Sequence, residues 1–237
     1  MLTIEHLTKC YGSDVKAVDD LSLTVMPGDI YGFIGHNGAG KTTTLRAVAG
    51  ILSFDSGTIT VDGKNIAKDP IACKQEMAYI PDNPDLYEHL TGIQYLNFVA
   101  DIYGVSASER DERIKKYADA FEMTPRLNDL IGSCSHGMKQ KIALISALIH
   151  NPKLLLLDEP FVGLDPKAAH TLKTYMAELC ANGSAIFFST HVLEVAEKLC
   201  NKIAIIKNGR LLAAGEMDKV KGDESLETLF LELTDNA

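Results

Sequence analysis

An apolar segment, Ile30 to Ile34, runs directly into Gly35-His36-Asn37-Gly38-Ala39-Gly40-Lys41-Thr42-Thr43, and a helical pattern follows to about Ala49. Glycines at 35, 38 and 40 open backbone conformations closed to other residues, so that successive N–H groups can turn toward one point. A helix beginning there adds the positive end of its dipole. Lys41 adds a point charge suited to β- and γ-phosphates, and the Thr42 hydroxyl is an oxygen ligand for Mg²⁺. Gly-x-x-x-x-Gly-Lys-Thr between a strand and a helix is a phosphate loop, and it requires a strand to end where a helix begins.

The pattern around that loop is of the same kind. Leu2 to Glu5 and Leu21 to Val25 alternate as strands, and Thr58 to Val61 precedes an Asp62-Gly63 turn. Gly50 stands where a C-terminal cap of the loop's helix is expected. From about residue 83 to 133 the strand signals vanish. Thr91 to Tyr103 and Glu109 to Met123 carry apolar residues at helical spacing, with Gly104 and Pro125 as stops. Strand and helix then alternate again: a helix over Gly137 to Ile149, strands at Leu154 to Leu157 and Ala185 to Ser189, and helices at Lys167 to Cys180 and Leu193 to Leu199. A hairpin turns at Asn208-Gly209, and Glu224 to Leu233 reads as a terminal helix. This order predicts an α/β core with a largely parallel sheet and an inserted helical lobe.

Composition narrows the function classes. The 237 residues carry 23 Lys and Arg against 32 Asp and Glu, a net charge of -9. Such an excess argues against broad binding to a nucleic-acid backbone and leaves a local anion site open. Five scattered cysteines form no Cys-x-x-Cys pair, so neither a disulfide framework nor a zinc site is expected and a reducing compartment is. No apolar run approaches bilayer length, and no secretory signal opens the chain.

A second motif complements the loop. Leu154-Leu155-Leu156-Leu157-Asp158-Glu159 is an apolar strand ending in two carboxylates. In a parallel sheet the end of such a strand faces the ligand crevice. Asp158 is expected to hold Mg²⁺ through water, and Glu159 to orient or deprotonate an attacking water.

With these motifs in place, the chain resembles the ATP-binding cassette (ABC) family along nearly its whole length. Cys134-Ser135-His136-Gly137-Met138-Lys139-Gln140-Lys141 is similar to the family signature, Gly163-Leu164-Asp165-Pro166 to its D-loop, and Ser189-Thr190-His191 to its switch histidine. Tyr11-Gly12 sits where the family places an aromatic residue against adenine. The resemblance implies a P-loop NTPase core (1–82 and 134–215), an N-terminal antiparallel β subdomain, an inserted α-helical subdomain (83–133) and a helical tail (216–237), all in one ABC ATPase domain. It implies ATP bound by Tyr11 and residues 35–43, and catalysis by Lys41, Glu159 and His191. Ser135, His136 and Gly137 would meet the γ-phosphate held by a second chain, Asp165 would cross that interface, and two MgATP would be sandwiched head to tail.

Two positions depart from the family pattern. Asp82 follows the strand Met77 to Ile80 where a glutamine is usual, and three roles stand open for it: direct metal ligand, ligand through water, or signal to a partner. His136 replaces the first signature glycine, and its side chain would either crowd the γ-phosphate or, protonated, add a donor. The resemblance further implies a separate transmembrane permease, placing the chain in the cytoplasm on the inner face of the membrane. The expected docking surface is residues 83–90, with Leu86 and Tyr87 exposed. The tail resembles that of bacterial export-type cassettes. A GTP switch lacks its guanine-reading motif here, since Asn201-Lys202-Ile203-Ala204 has no aspartate. A cassette acting on ribosomes or DNA fits neither the length nor the charge. A scaffold that senses ATP without pumping is the remaining alternative, and activity separates it from a transporter.

Overall fold

In a computed structural model, residues 1–12 and 15–235 of the chain are described, and residues 236 and 237 of the expected tail lie outside them. Strands β1 (Leu2–Tyr11), β2 (Val15–Val25), β4 (Ser56–Val61) and β5 (Lys64–Asn65) form an antiparallel sheet in the order β2-β1-β4-β5. The second sheet has the order β10-β9-β3-β8-β7-β6. Its members β3 (Ile30–Ile34), β6 (Met77–Ile80), β7 (Leu154–Asp158), β8 (Ala185–Thr190) and β9 (Lys202–Lys207) run parallel, and β10 (Arg210–Glu216) closes one edge as the antiparallel half of the Asn208-Gly209 hairpin.

The uninterrupted leucines of β7 follow from this position. A parallel strand in mid-sheet is covered on both faces, so both sets of alternating side chains must be apolar. Leu154 and Leu156 join Phe33 and Phe187 in a core beneath the antiparallel sheet. Leu155 and Leu157 join Ile186 and Phe188 in a second core beneath the helices. All four leucines are at most 1% exposed, each contributing roughly 1.5–3 kcal/mol of burial.

The loop helix α1 (Lys41–Val48) ends as the sequence predicts: Gly50 takes a φ of 63° and its N–H and that of Ile51 close on Ala47 and Arg46 carbonyls. The lobe holds α3 (Gly92–Ile102) and α4 (Ala107–Ala120). Thr91 and Gln94 form a reciprocal capping box that starts α3. Helix α4 stops three residues before the predicted Met123. Glu122, not a glycine, takes the left-handed position at φ 58°, and the Met123 N–H closes on the Ala118 carbonyl at 2.7 Å. That termination carries no glycine or proline signal, and Pro125 lies in the short 3₁₀ turn that follows. Helix α5 (His136–Ile149) packs against α3, α4 and β6, so it joins the lobe to the sheet.

Helices α6 (Pro166–Ala181) and α7 (Leu193–Leu199) lie where expected. The short helix α2 (Pro70–Gln75) carries no sequence signal, since six residues are too few to show a helical period, and α8 (Met217–Lys221) falls within the residues expected as a helical tail. Helix α9 (Leu226–Asp235) ends the described chain. Among the described residues no helix is long and apolar enough to cross a membrane. One surface expectation is corrected: Leu86 is only 8% exposed, because it inserts into the core of the lobe, while Tyr87 beside it is half exposed.

Candidate active site

The phosphate loop is gripped from three sides. A Cβ on Gly40, at φ 108°, would stand 2.3 Å from the Ala17 carbonyl oxygen, and one on Gly35 would stand 2.5 Å from that of Ile206. The Gly209 N–H of the hairpin turn donates to the Ala39 carbonyl at 2.9 Å. Gly40, as the N-cap of α1, offers no side-chain acceptor, so the helix's first N–H groups remain available to an anion.

Lys41 is 6% exposed, and its Nζ donates to the carbonyls of Gly35 at 2.6 Å and His36 at 3.2 Å. The same Nζ lies 3.4 Å from Glu159 Oε1. A cavity of about 350 Å³ opens over the loop, lined by Ala17, residues 36–38 and 40–43, Asp82 and Glu159. The structure therefore brings together Lys41, Thr42, Thr43, Asp82 and Glu159, as the sequence predicts. Ala17, on β2, is a lining residue that no sequence signal marks.

Glu159 is held by an arrangement that the sequence shows only in part. Its φ is 47°, the left-handed region that a non-glycine residue adopts under constraint from its surroundings. The constraint is Ser189 on the neighbouring strand. Its hydroxyl donates to Asp158 Oδ1 at 2.5 Å and accepts from the Glu159 N–H at 3.0 Å. Ser189, which the sequence marks only as part of the Ser-Thr-His triplet, thus ties both carboxylate residues to β8. Glu159 Oε2 lies 3.0 Å from His191 Nδ1, and the buried Oε1 has no hydrogen-bond partner. Asp158 is 1% exposed and does not line the cavity.

Other predicted residues stand apart from the cavity. Tyr11 ends β1, pairs with Val15 and has a half-exposed ring with Lys9 Nζ 5.6 Å from its centroid. Ser135 caps α5, accepting from the Met138 N–H at 3.4 Å. Neither it nor His136 nor Gly137 lines the cavity of its own chain. Asp165 caps α6 through the Ala168 N–H at 2.8 Å and pairs with Lys141 of α5 at 2.7 Å. The Lys141 hydrogen bond, then that of Ala168, holds its carboxyl below the usual range.

A larger hollow, about 480 Å³, lies between β6 and the lobe, lined by residues including Arg46, Tyr79, Tyr95, Tyr103 and His150. His150 stacks on Tyr103 at 3.6 Å between centroids, and burial pushes its pKa down to about 4. Its protonation is thus resisted in the fold and free in the unfolded chain. Stability is unaffected well above the unfolded value near 6.5 and falls as pH drops from there toward 4, by roughly 3 kcal/mol in total. Urea denaturation at pH 7.5 and pH 5 should show about 2 kcal/mol of this loss, and His150→Gln should remove most of its pH dependence. An unchanged slope in that variant would assign the dependence elsewhere.

A strand–loop–helix phosphate site, a carboxylate poised over it and a signature segment opening α5 define an ATP-binding, ATP-hydrolysing cassette. The family profile described as ABC transporter matches residues 18–162. The chain is 36% identical to the ABC-type transporter ATP-binding protein EcsA of Bacillus subtilis, over 99% of this chain and 96% of that protein. It is also 36% identical to the ABC transporter ATP-binding protein NatA of Bacillus subtilis, over 91% and 88%. A solved structure of an ATP-binding subunit of an ABC transporter superposes with a TM-score of 0.95 at 36% identity, covering 99% of each chain. A dimeric post-hydrolysis cassette bound to ADP and Pi shares the fold at a TM-score of 0.83, with 21% identity. The chain belongs to the ABC transporter ATP-binding protein family.

Proposed function

We propose that the chain is the ATP-hydrolysing subunit of an ABC exporter, pairing with a second cassette around two MgATP and driving a separate membrane permease. The observation that carries the hydrolytic part is Glu159: one carboxylate oxygen rests against His191, while the other is buried, without a hydrogen bond, beside the phosphate loop. Such an oxygen can accept the proton of a water attacking the γ-phosphorus. As the water oxygen bonds to phosphorus, the bond to the β-phosphate oxygen breaks, and ADP and phosphate leave. Lys41 exchanges its two loop carbonyls for the β- and γ-phosphates, and the α1 N-terminus shares the charge. His191 keeps Glu159 in register.

The residues fit Mg²⁺. Thr42 is exposed at the cavity, Asp82 lines it, and Asp158 offers a carboxylate oxygen beyond the one bonded to Ser189. These are hard oxygen donors. The ion would supply charge neutralisation at the β- and γ-phosphates. Tyr11 would stack on adenine after a movement that brings it over the cavity. Ser135, His136 and Gly137 would close over the partner's nucleotide, with Asp165 beside them. That none of the three lines its own chain's cavity supports an arrangement in trans. Tyr87 and the hollow beneath residues 83–86 would take the permease, which would hold the chain on the inner face of the membrane.

Co-expression with a candidate polytopic membrane subunit tests the transporter reading. The two should extract from membranes as one complex, with ATP hydrolysis raised by the transported substrate. A cassette that purifies alone, with hydrolysis indifferent to the membrane protein, would favour the ATP-sensing scaffold instead.

A further inference from the structure

Helix α9 presents Leu226, Phe230 and Thr234, spaced by four, as its buried face. Leu226 and Phe230 enter the core that contains Ile34, Ile203 and Ile205, the strand residues directly behind the phosphate loop. Phe230 also meets the loop itself: its ring stands edge-on to that of His36, 4.9 Å between centroids at 66°. His36 in turn is a junction. Its carbonyl accepts from the Ala39 N–H at 3.1 Å and from Lys41 Nζ at 3.2 Å. Four residues beyond Phe230, the Thr234 carbonyl accepts from Lys207 Nζ, and the Thr234 hydroxyl donates back to the Phe230 carbonyl at 2.7 Å. Lys207 ends β9 immediately before the turn whose Gly209 N–H holds the Ala39 carbonyl. The terminal helix and the hairpin turn thus grip the same loop at two points and are bonded to each other.

We propose that α9 sets the posture of the phosphate loop, and that Phe230 is a positioning residue for nucleotide, acting through His36. The inference rests on the phosphate-loop reading of residues 35–43. A glycine-rich loop loses conformational freedom when its N–H groups converge on phosphate, and a loop already held at His36 and Ala39 loses less. Phe230 lines no part of the nucleotide cavity, so it changes affinity only through the loop it props.

The test is a double-mutant cycle on the complete chain with ATP as probe. Phe230→Leu keeps an apolar residue in the core and removes the ring edge. It should raise the Kd for ATP by up to roughly tenfold, the full worth of an aromatic pair being the ceiling because the contact also stabilises the free chain. It should leave kcat at saturating ATP unchanged. In a His36→Ala background the same substitution should have almost no further effect on Kd. If Phe230→Leu lowers the melting temperature but leaves Kd at the parent value, or weakens binding equally in both backgrounds, Phe230 is core packing only and the proposal fails. Should the leucine variant not fold, Phe230→Met, unbranched and similar in reach, replaces it in the cycle. A parent chain that binds no ATP would overturn the phosphate-loop reading itself, a result distinct from an additive cycle.

Discussion

Glu159→Gln leaves ATP bound and slows its hydrolysis by a factor of roughly 10² to 10⁴, the range lost when a general base is removed. The amide keeps the shape and a hydrogen-bonding group near His191, 3.0 Å from the native carboxylate, so the loop and its ligand stay in place. It cannot take a proton from water at neutral pH. A carboxylate 3.4 Å from Lys41 also becomes neutral, which leaves the lysine more positive toward phosphate, so affinity for ATP should hold or rise. Phosphate release measured at saturating nucleotide checks the rate. Size-exclusion chromatography with ATP and Mg²⁺ checks a second consequence: binding without turnover should accumulate a dimer. Hydrolysis at the parent rate would remove Glu159 from the mechanism proposed for it.

Lys41→Ala acts at the other end of the reaction. A hydrogen bond to a charged group is worth about 1.5–3 kcal/mol, so ATP affinity should fall by roughly ten- to a hundredfold. The lysine is not idle without ligand, since it bridges the Gly35 and His36 carbonyls. Part of its attraction for phosphate is therefore offset by bonds it must give up, which places the expected loss below that of a freely solvated lysine. Titration with ATP measures the affinity, and a thermal melt of the same variant separates lost binding from lost folding. Unchanged affinity in a folded variant would contradict the assignment of the loop.

Residues whose role is set by local backbone chemistry were legible in the sequence. Gly35, Gly40 and Lys41 mark the loop because they form one contiguous motif, although what a Cβ at 35 or 40 would strike, the Ile206 and Ala17 carbonyls, lies far along the chain. The leucines of β7 mark a central strand because both faces of such a strand are covered. What escaped depends on neighbours distant along the chain. Ala17 reaches the cavity because β2 passes beside Gly40, and alanine carries no chemical signal of its own. Ser189 fastens Asp158 and Glu159 only because β8 lies beside β7 in register. Leu86 is expected on the surface only as part of the docking segment 83–90 that the resemblance implies, yet its side chain lies in the core of the lobe. Helix α4 ended early because a glutamate took a conformation usually left to glycine. The family profile covers residues 18–162, so its span stops short of His191 and α9.

The ion pair between Lys141 and Asp165 has a mechanical corollary. One partner rides on α5, which joins the lobe to the sheet, the other caps α6, whose far end packs beside the sheet through Cys180. Beside them the His136 ring fills the space a Cβ on Gly163 would need, leaving 2.7 Å, and Gly137 fits against the Gly163 carbonyl. The lobe is consequently geared to the sheet at this corner instead of swinging free. Any rotation that advances the tip of α5 must carry the 163–165 segment along or shear that gear, so the two loops move as one.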